Sequence, residues 1–265
     1  MRRLGLGTMG LTGPGAWGEP ADRDRAVRLL RRAVELGVDL VDTADSYGPY
    51  VSEELIAQAL YPYPDGLVIS TKGGLTRQGP GRWQAVGRPP EYLRQCAEMS
   101  LRRLRLERID LYHLHRIDPQ VPLAEQLGVL GELRAEGKIR HIGLSEVEVD
   151  DVVRARELVP VTSVQNIFSL TPQCYRDTLD HCTREGIGFI PFFPLGRGEL
   201  SRSDSPLGSF AAVKGVSPAQ LALARLLHQS PNVLPMPGTS HAFWFQVLEL
   251  LLDDLDVLDA RPASS

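Results

Sequence analysis

The stretch Leu36-Gly37-Val38-Asp39-Leu40-Val41-Asp42 shows the unit from which the chain is built. It ends a predicted helix at Gly37, continues through the apolar residues of a buried strand, and finishes at the ionisable Asp42. Two further strand-like runs, 67–71 and 109–112, lead in the same way to Lys72 and to His115. Because the carboxyl ends of parallel strands meet at one mouth of a barrel, we expect these polar groups to converge on one site.

Outward from this stretch, strand-like runs alternate with helical patterns along nearly the whole chain. The predicted strands are 4–9, 38–42, 67–72, 109–113, 139–144, 161–166, 188–192 and 233–236, the predicted helices are 22–36, 52–60, 89–104, 123–136, 150–158, 175–185 and 218–229, the predicted loops include 73–87 and 196–208, and the tail is predicted to be helical. Such alternation favours the α/β class and a closed parallel (β/α)8 TIM barrel, as a single domain over residues 1–265. A doubly wound sheet is the alternative, but Leu4-Gly5-Leu6-Gly7-Thr8 lacks the Gly-x-Gly-x-x-Gly turn of that fold.

The composition argues against several functional classes. The 265 residues are 43% hydrophobic with a net charge of −4, so nothing indicates binding to nucleic acid or to anionic lipid. The start of the chain lacks the pattern of a secretory signal, and no apolar run approaches the roughly 20 residues that span a membrane. Cys96, Cys174 and Cys182 lack metal-ligand spacing, so we expect no metal site and a reducing, cytoplasmic location.

Asp42, Tyr47, Lys72 and His115 together suit the delivery of a proton to an oxygen atom. A free tyrosine has a pKa of about 10 and is a poor acid at neutral pH until a nearby cation stabilises its phenolate. Lys72 is the candidate cation, Asp42 would hold its ammonium group, and His115 would direct the substrate oxygen. Carbonyl reduction needs such a set. Each residue alone also fits an ordinary structural role, but their shared position at strand ends favours catalysis.

Several stretches then resemble the aldo-keto reductase family, in order and in spacing over nearly the whole chain. They are Asp42-Thr43-Ala44-Asp45-Ser46-Tyr47-Gly48, Ile69-Ser70-Thr71-Lys72, Asp110-Leu111-Tyr112-His113-Leu114-His115-Arg116, Ile142-Gly143-Leu144-Ser145, Val164-Gln165-Asn166 and Pro235-Met236-Pro237-Gly238-Thr239-Ser240. Within the family, stretches 10–18, 59–63 and 191–196 resemble the bacterial pyridoxal reductase (pyridoxine 4-dehydrogenase) branch.

The resemblance implies a barrel that binds NADPH without a Rossmann domain and reversibly reduces an aldehyde or ketone, a small-molecule carbonyl substrate. Tyr47 would be the general acid, Lys72 and Asp42 would tune it, and His115 would orient the carbonyl. His113 falls where the family usually has an apolar residue, so it is either a second polar wall of the site or a local substitution.

The resemblance also implies a set of cofactor-binding residues. Ser145 and Gln165 match positions that hydrogen-bond the nicotinamide carboxamide, and Phe192, with Phe193 as the competing choice, matches the ring that stacks on the nicotinamide. The rest of the set comprises Thr8 and Met9, Pro194, Leu195 and Gly196 beside the pyrophosphate, and Gly238, Thr239 and Ser240 at the adenosine 2′-phosphate.

Two departures from the family pattern leave alternatives open. Glu146 replaces an asparagine, so its side chain would either accept from the carboxamide or turn to solvent. The stretch 241–248 contains Phe243-Trp244-Phe245 and no Arg or Lys, which would weaken the grip on a 2′-phosphate by about 1.5–3 kcal/mol unless His241 partly replaces the cation. The aromatic cluster would either stack on the adenine or pack against the last helix. The alternatives to a reductase are a non-redox dehydratase or cyclase and a cofactor-sensing regulatory subunit. Trp17 and Trp83 are expected to wall an apolar or aromatic substrate pocket.

Overall fold

A computed structural model describes residues 3–85, 90–171, 173–205 and 207–238 of the protein. Thr239 and Ser240 of the predicted cofactor site, the aromatic stretch 243–245 and the predicted helical tail lie outside the described residues.

Seven parallel strands form the sheet, and an antiparallel pair stands apart from it. The strands are β1 (Leu6–Gly7), β2 (Leu40–Asp42), β3 (Val68–Gly73), β4 (Leu75–Gly79), β5 (Arg82–Ala85), β6 (Ile109–Leu114), β7 (Ile139–Ser145), β8 (Val161–Ile167) and β9 (Gly188–Phe192). The parallel sheet has the order β1-β2-β3-β6-β7-β8-β9, and β4 pairs with β5. The helices that cover it are α1 (Arg23–Glu35), α2 (Val51–Leu60), α3 (Pro90–Leu104), α4 (Leu123–Ala135), α5 (Val149–Arg156), α6 (Arg176–Glu185), α7 (Gly208–Lys214) and α8 (Pro218–Leu227).

An extended segment, 233–238, closes the sheet between β9 and β1. On one side the Leu234 and Met236 N–H groups donate to β9, and on the other the Pro235 and Pro237 carbonyls accept from Gly5 and Gly7. Because the two prolines have no N–H, the segment forms isolated bridges instead of the regular eighth strand that the sequence predicts at 233–236. The predicted single-domain TIM barrel is confirmed, with this segment in the eighth position.

Three local predictions were wrong. The predicted loop 73–87 contains the β4–β5 hairpin, because Gly79-Pro80-Gly81 supplies a turn with positive φ at both glycines. The predicted loop 196–208 contains a 3-10 helix, Gly196–Ser201, and the start of α7. The first strand covers only Leu6–Gly7 instead of 4–9, since Met9–Leu11 turns into a 3-10 helix.

The helices bury their apolar faces against the outside of the sheet. In α1 the buried residues recur at helical spacing, and Asp22 caps the helix by accepting from the Arg25 N–H. The strands that carry the predicted site residues are almost wholly buried, so the polar side chains at their carboxyl ends lie in a water-poor environment.

Candidate active site

The four predicted catalytic residues lie together at the carboxyl end of the barrel. Lys72 Nζ donates to Asp42 Oδ2 at 2.5 Å, to the Thr43 carbonyl at 2.6 Å and to the Tyr47 phenol oxygen at 3.4 Å. The Tyr47 and His115 rings meet edge to face, with their centroids 5.9 Å apart. All four side chains are buried, and Lys72 is 0% exposed. The convergence that the strand ends predict is therefore present.

The charge on Lys72 is maintained despite its complete burial. Burial alone would lower the pKa of Lys72, but the attraction of Asp42 and of Tyr47 outweighs it and raises the pKa above its ordinary value. Lys72 is therefore an ammonium group at neutral pH.

Tyr47 has the opposite balance. Burial raises the pKa of Tyr47, the Lys72 ammonium lowers it, and Asp42 raises it. The resulting pKa of Tyr47 is above that of a free phenol. The sequence predicted that the adjacent ammonium would make the phenol more acidic, and in the protein alone that prediction was wrong because burial outweighs the ammonium. Tyr47 therefore holds its proton at neutral pH, as a proton donor must.

His115 is a neutral imidazole. Burial lowers the pKa of His115 well below its usual range, and the charges of Lys72 and Arg116 lower it further. Its Nδ1 lies 3.2 Å from Ser46 Oγ, and its backbone N–H donates to the Gly73 carbonyl. A neutral imidazole has one N–H to donate, so it can hold an oxygen atom without adding a charge.

The loop that carries Tyr47 is fixed by backbone hydrogen bonds from both ends. The N–H groups of Thr43 and Asp45 donate to carbonyls of β3, and Gly48 forms a parallel bridge with Trp17. Gly48 has φ of +98°, and a Cβ there would lie 2.5 Å from the Val51 Cβ. The tight turn into α2 therefore requires glycine at this position.

A cavity of about 630 Å³ adjoins Asp42 and Tyr47. Of the predicted cofactor residues it is lined by Thr8, Met9, Gln165, Phe192, Pro194, Leu195 and Gly238. Residues that sequence reasoning did not select also line it: Gly7, Gly10, Gly198, Ser201, Met236 and Pro237. They are mostly glycines and apolar residues, so no side-chain chemistry marks them in the sequence.

Two predicted cofactor residues, Ser145 and Gly196, do not line this cavity. Ser145 is 1% exposed, and its Oγ accepts from Arg116 Nη1 at 3.0 Å. Gln165 does line the cavity, and its Nε2 donates to Asp42 Oδ1 at 3.2 Å, which links the cavity to the catalytic residues.

Glu146 does not turn to solvent, which was one of the two arrangements that the sequence left open, and its acceptance from the carboxamide stays a prediction. Its Oε1 accepts from the Ile167 N–H at 2.6 Å, and its Oε2 lies 4.0 Å from Arg116 Nη2 and 3.5 Å from the Tyr175 hydroxyl. The side chain is 21% exposed and is committed to the end of β8.

The β4–β5 hairpin places an aromatic wall beside the catalytic residues. The Trp83 ring lies edge to face with Tyr47, at 6.3 Å between centroids, and 6.4 Å from His115. Arg77 stacks on Trp83 at 3.5 Å and lies 5.5 Å from the Trp17 ring. It also donates to the backbone carbonyls of five residues: Gly15, Ala16, Ser46, Gly79 and Arg82. Trp83 remains 39% exposed beside Tyr47 and His115.

A parallel barrel with a buried lysine, aspartate, tyrosine and histidine beside a cavity at its mouth defines a barrel enzyme of the oxidoreductase class. The model of the Aldo/keto reductase family matches residues 3–243. An uncharacterized oxidoreductase of Schizosaccharomyces pombe is 47% identical over 240 residues, which cover 91% of this chain and 78% of that protein. The chain belongs to the aldo/keto reductase family.

Two further comparisons agree with this assignment. Pyridoxine 4-dehydrogenase of Escherichia coli is 40% identical over 246 residues, 91% of this chain and 85% of that protein. The glycerol dehydrogenase of Gluconobacter oxydans has the same fold, with a TM-score of 0.84 and 26% identity over 94% of this chain and 86% of that structure. The oxidoreductase class implied by the sequence resemblance is confirmed at the level of the family. No helix among the described residues is long and apolar enough to cross a membrane.

Proposed function

We propose that the protein reversibly reduces an aldehyde or ketone to an alcohol with NADPH, and that Tyr47 is the general acid. One observation carries the assignment: the Tyr47 phenol lines the cavity and lies 3.4 Å from the buried Lys72 ammonium. The feature that favoured a non-redox enzyme, the stretch after Ser240, lies outside the described residues, and no other observation supports that alternative.

The cavity fits a dinucleotide in size and in lining. Its volume of about 630 Å³ falls within the range of cofactor sites, and its walls are mostly apolar with a few polar groups. Gln165 would hold the nicotinamide carboxamide, Phe192 would stack on the ring, and Pro194 and Leu195 would run beside the pyrophosphate. When bound, NADPH supplies the hydride for the carbonyl carbon.

The protein's own residues carry out the proton transfer. Tyr47 donates its phenolic proton to the carbonyl oxygen as that oxygen gains negative charge. Lys72, fixed by Asp42 and the Thr43 carbonyl, stabilises the phenolate that remains. His115 donates its single imidazole N–H to the same oxygen and holds the carbonyl in line with Tyr47. In the oxidation the same groups act in reverse.

We further propose an aromatic or apolar aldehyde as the substrate, with pyridoxal as the first compound to test. The partly exposed Trp83 ring next to Tyr47 supports a flat ring in the substrate, since aromatic rings favour stacked or edge-to-face contact. The relative at 40% identity is a pyridoxine 4-dehydrogenase, which gives pyridoxal its priority. An aliphatic aldehyde of similar size, turned over with equal kcat/KM, would remove the argument from Trp83.

The replacement Tyr47→Phe tests the proposed mechanism. It removes the acid and keeps the ring, so kcat should fall by about a hundredfold or more while the Kd for NADPH stays nearly unchanged. Tyr61→Phe makes the same chemical change at an exposed tyrosine that meets Tyr63 edge to face, and it should leave kcat unaltered. A Tyr47→Phe enzyme with near wild-type turnover would remove Tyr47 from the role.

We also propose that the chain acts as one domain in the cytoplasm. Cys96, Cys174 and Cys182 are free thiols, which fits a reducing compartment, and the acidic net charge does not favour a nucleic-acid partner. Fractionation of the source cells, followed by immunodetection, tests the location, and a band confined to the membrane or secreted fraction would contradict it.

A further inference from the structure

His113 lies inside the barrel, directly opposite Lys72 on the neighbouring strand, and it does not line the cavity. It is 0% exposed and pairs in register with Lys72 on β3 and with Gly143 on β7. Its Nδ1 is 3.3 Å from Ser70 Oγ and its Nε2 is 3.0 Å from Ser163 Oγ. Ser70 Oγ donates in turn to Asp42 Oδ1 at 2.9 Å. A continuous chain of hydrogen bonds therefore runs from β8 to the catalytic carboxylate.

The barrel accommodates the His113 ring only because residue 143 is glycine. A Cβ on Gly143 would lie 2.2 Å from His113 Cδ2, 2.5 Å from its Nε2 and 2.7 Å from Ser163 Oγ. The ring thus occupies the volume that a side chain on β7 would fill, and it has little freedom to turn. This close fit distinguishes His113 from a histidine that merely tolerates burial.

The direction of each hydrogen bond in the chain follows from the number of protons available. A carboxylate only accepts, so the one hydroxyl proton of Ser70 is committed to Asp42, and Ser70 must accept from His113 Nδ1–H. Burial and the charge of Lys72 lower the pKa of His113 to about 3, against a backbone hydrogen bond with Thr71, so the ring is neutral and has one N–H. Nε2 then accepts from the Ser163 hydroxyl.

We propose that His113, in its Nδ1–H tautomer, is a positioning residue that holds Ser70 so that Ser70 orients the Asp42 carboxylate toward Lys72. The inference rests on the proposed function, in which the Asp42–Lys72 pair serves Tyr47. Ser70 and Gln165 occupy Asp42 Oδ1, and Oδ2 is left for the ammonium. Without the support of His113, the carboxylate rotates, and Lys72 shifts relative to the phenol that it must stabilise.

The tautomer is measured on the intact wild-type protein by two-bond ¹H–¹⁵N correlation of the histidine rings at pH 7. His113→Leu identifies the His113 signal by its loss among those of the six histidines. We expect a neutral ring protonated on Nδ1, the minor tautomer of free histidine. A ring protonated on Nε2, or on both nitrogens, would overturn the proposal because Ser70 would then lack its donor.

The catalytic test uses a double-mutant cycle of His113→Leu with Ser70→Ala. His113→Leu alone should lower kcat by about tenfold to a hundredfold, as expected for a small misplacement of catalytic groups, with the KM for the carbonyl and the Kd for NADPH within twofold. In the Ser70→Ala background the same replacement should cost little more, because the link to Asp42 is already absent. Equal losses in both backgrounds would reduce His113 to a packing residue.

Conservative replacements complete the test. His113→Asn places an amide N–H near the position of Nδ1 and should recover most of kcat, whereas His113→Gln places its amide near the position of Nε2 and should not. If His113→Leu does not fold, His113→Gln replaces it in the cycle. His141→Leu removes an exposed histidine from β7 and should leave kcat unchanged.

The outcomes separate the two proposals. If wild type turns over and Tyr47→Phe does not, while His113→Leu keeps kcat within twofold of wild type, only the role of His113 falls. If Tyr47→Phe retains turnover, the proposed mechanism falls, and the tautomer measurement still decides the hydrogen-bond chain.

Discussion

The two sides of the cavity are built by different means. On one side, which we call the tetrad side, Asp42, Tyr47, Lys72 and His115 are buried and held by hydrogen bonds between side chains. On the other, the ring wall, the surface comes from apolar residues and a glycine: Phe192, Phe193, Pro194, Met236, Pro237 and Gly238. The tetrad side therefore depends on the chemical identity of each residue, whereas the ring wall depends on shape. Substitutions should have large effects on the first and graded effects on the second.

The largest effect is expected for Lys72→Met, which leaves Asp42 without its cation. Breaking a buried ion pair by removing one partner costs about 3–5 kcal/mol of stability, and turnover should fall below detection with the ammonium gone. Lys138→Met is the matched control, since Lys138 pairs with Glu98 and Glu136 at the surface, and we expect little change there. Urea unfolding and kcat, both measured on the two variants, test this prediction. A Lys72→Met protein as stable as wild type would show that the tetrad side tolerates a change of chemistry.

Asp45 offers a second way to probe the tetrad side, through pH. Its Oδ1 is buried without a partner among the described residues, and burial, aided by Glu53, raises its pKa to about 7 against a hydrogen bond from Cys96. The folded state therefore binds a proton more tightly than the unfolded state. The contribution to stability is complete below about pH 4 and is lost as the pH rises through about 7.

Asp45→Asn cannot titrate, so its stability relative to wild type should rise between pH 4 and pH 8 by at most about 4 kcal/mol. Thermal and urea unfolding across this range measure the difference. Asp65→Asn, at an exposed loop position before β3, is the control and should run parallel to wild type. A parallel curve for Asp45→Asn as well would mean that water reaches the Asp45 carboxylate.

Substitutions in the ring wall should have smaller effects than those on the tetrad side. Phe192→Ala should weaken NADPH binding by about 1–2 kcal/mol if the ring stacks on the nicotinamide, and stability should change less than in Lys72→Met. Phe193→Ala is the matched variant, because both rings line the cavity, 5.3 Å apart and at 63°. Fluorescence quenching by NADPH gives both Kd values. A larger loss for Phe193→Ala would move the stacking role to that residue, and no loss for either would leave the ring wall without this role.

The difference between the tetrad side and the ring wall also explains which features could be predicted from the sequence. The barrel and the meeting of the four tetrad residues were predictable, because an apolar run that ends in a polar residue marks a parallel strand and its carboxyl end. The cavity-lining residues Gly198, Ser201 and Met236 were not, because neither periodicity nor a chemical motif marks them in the sequence. The hairpin that carries Trp83 was missed for a similar reason: in a glycine-rich stretch, pairing depends on turn geometry.

The direction of the pKa shift of Tyr47 could not be predicted from the sequence either. The neighbouring Lys72 was identified correctly, but the sign of the shift depends on how completely the phenol is buried, and burial is a property of the packed structure. The role of Glu146 was open for a related reason. Its partner, the Ile167 N–H, lies on another strand and carries no side-chain signal.

The smallest effect is expected for Glu146→Gln, at the edge between the two sides. Glutamine keeps an oxygen for the Ile167 N–H and removes only the charge near Arg116, a partly exposed pair whose contribution is about 0–1 kcal/mol. Because Glu146 does not line the cavity, the Kd for NADPH should stay within about threefold of wild type. Gln165→Leu is the contrasting variant, since Gln165 lines the cavity and donates to Asp42, and it should weaken NADPH binding and lower kcat together. A tenfold change in Kd for Glu146→Gln would indicate that its carboxylate contacts the cofactor. Glu146, which directly follows β7, would then belong to the tetrad side.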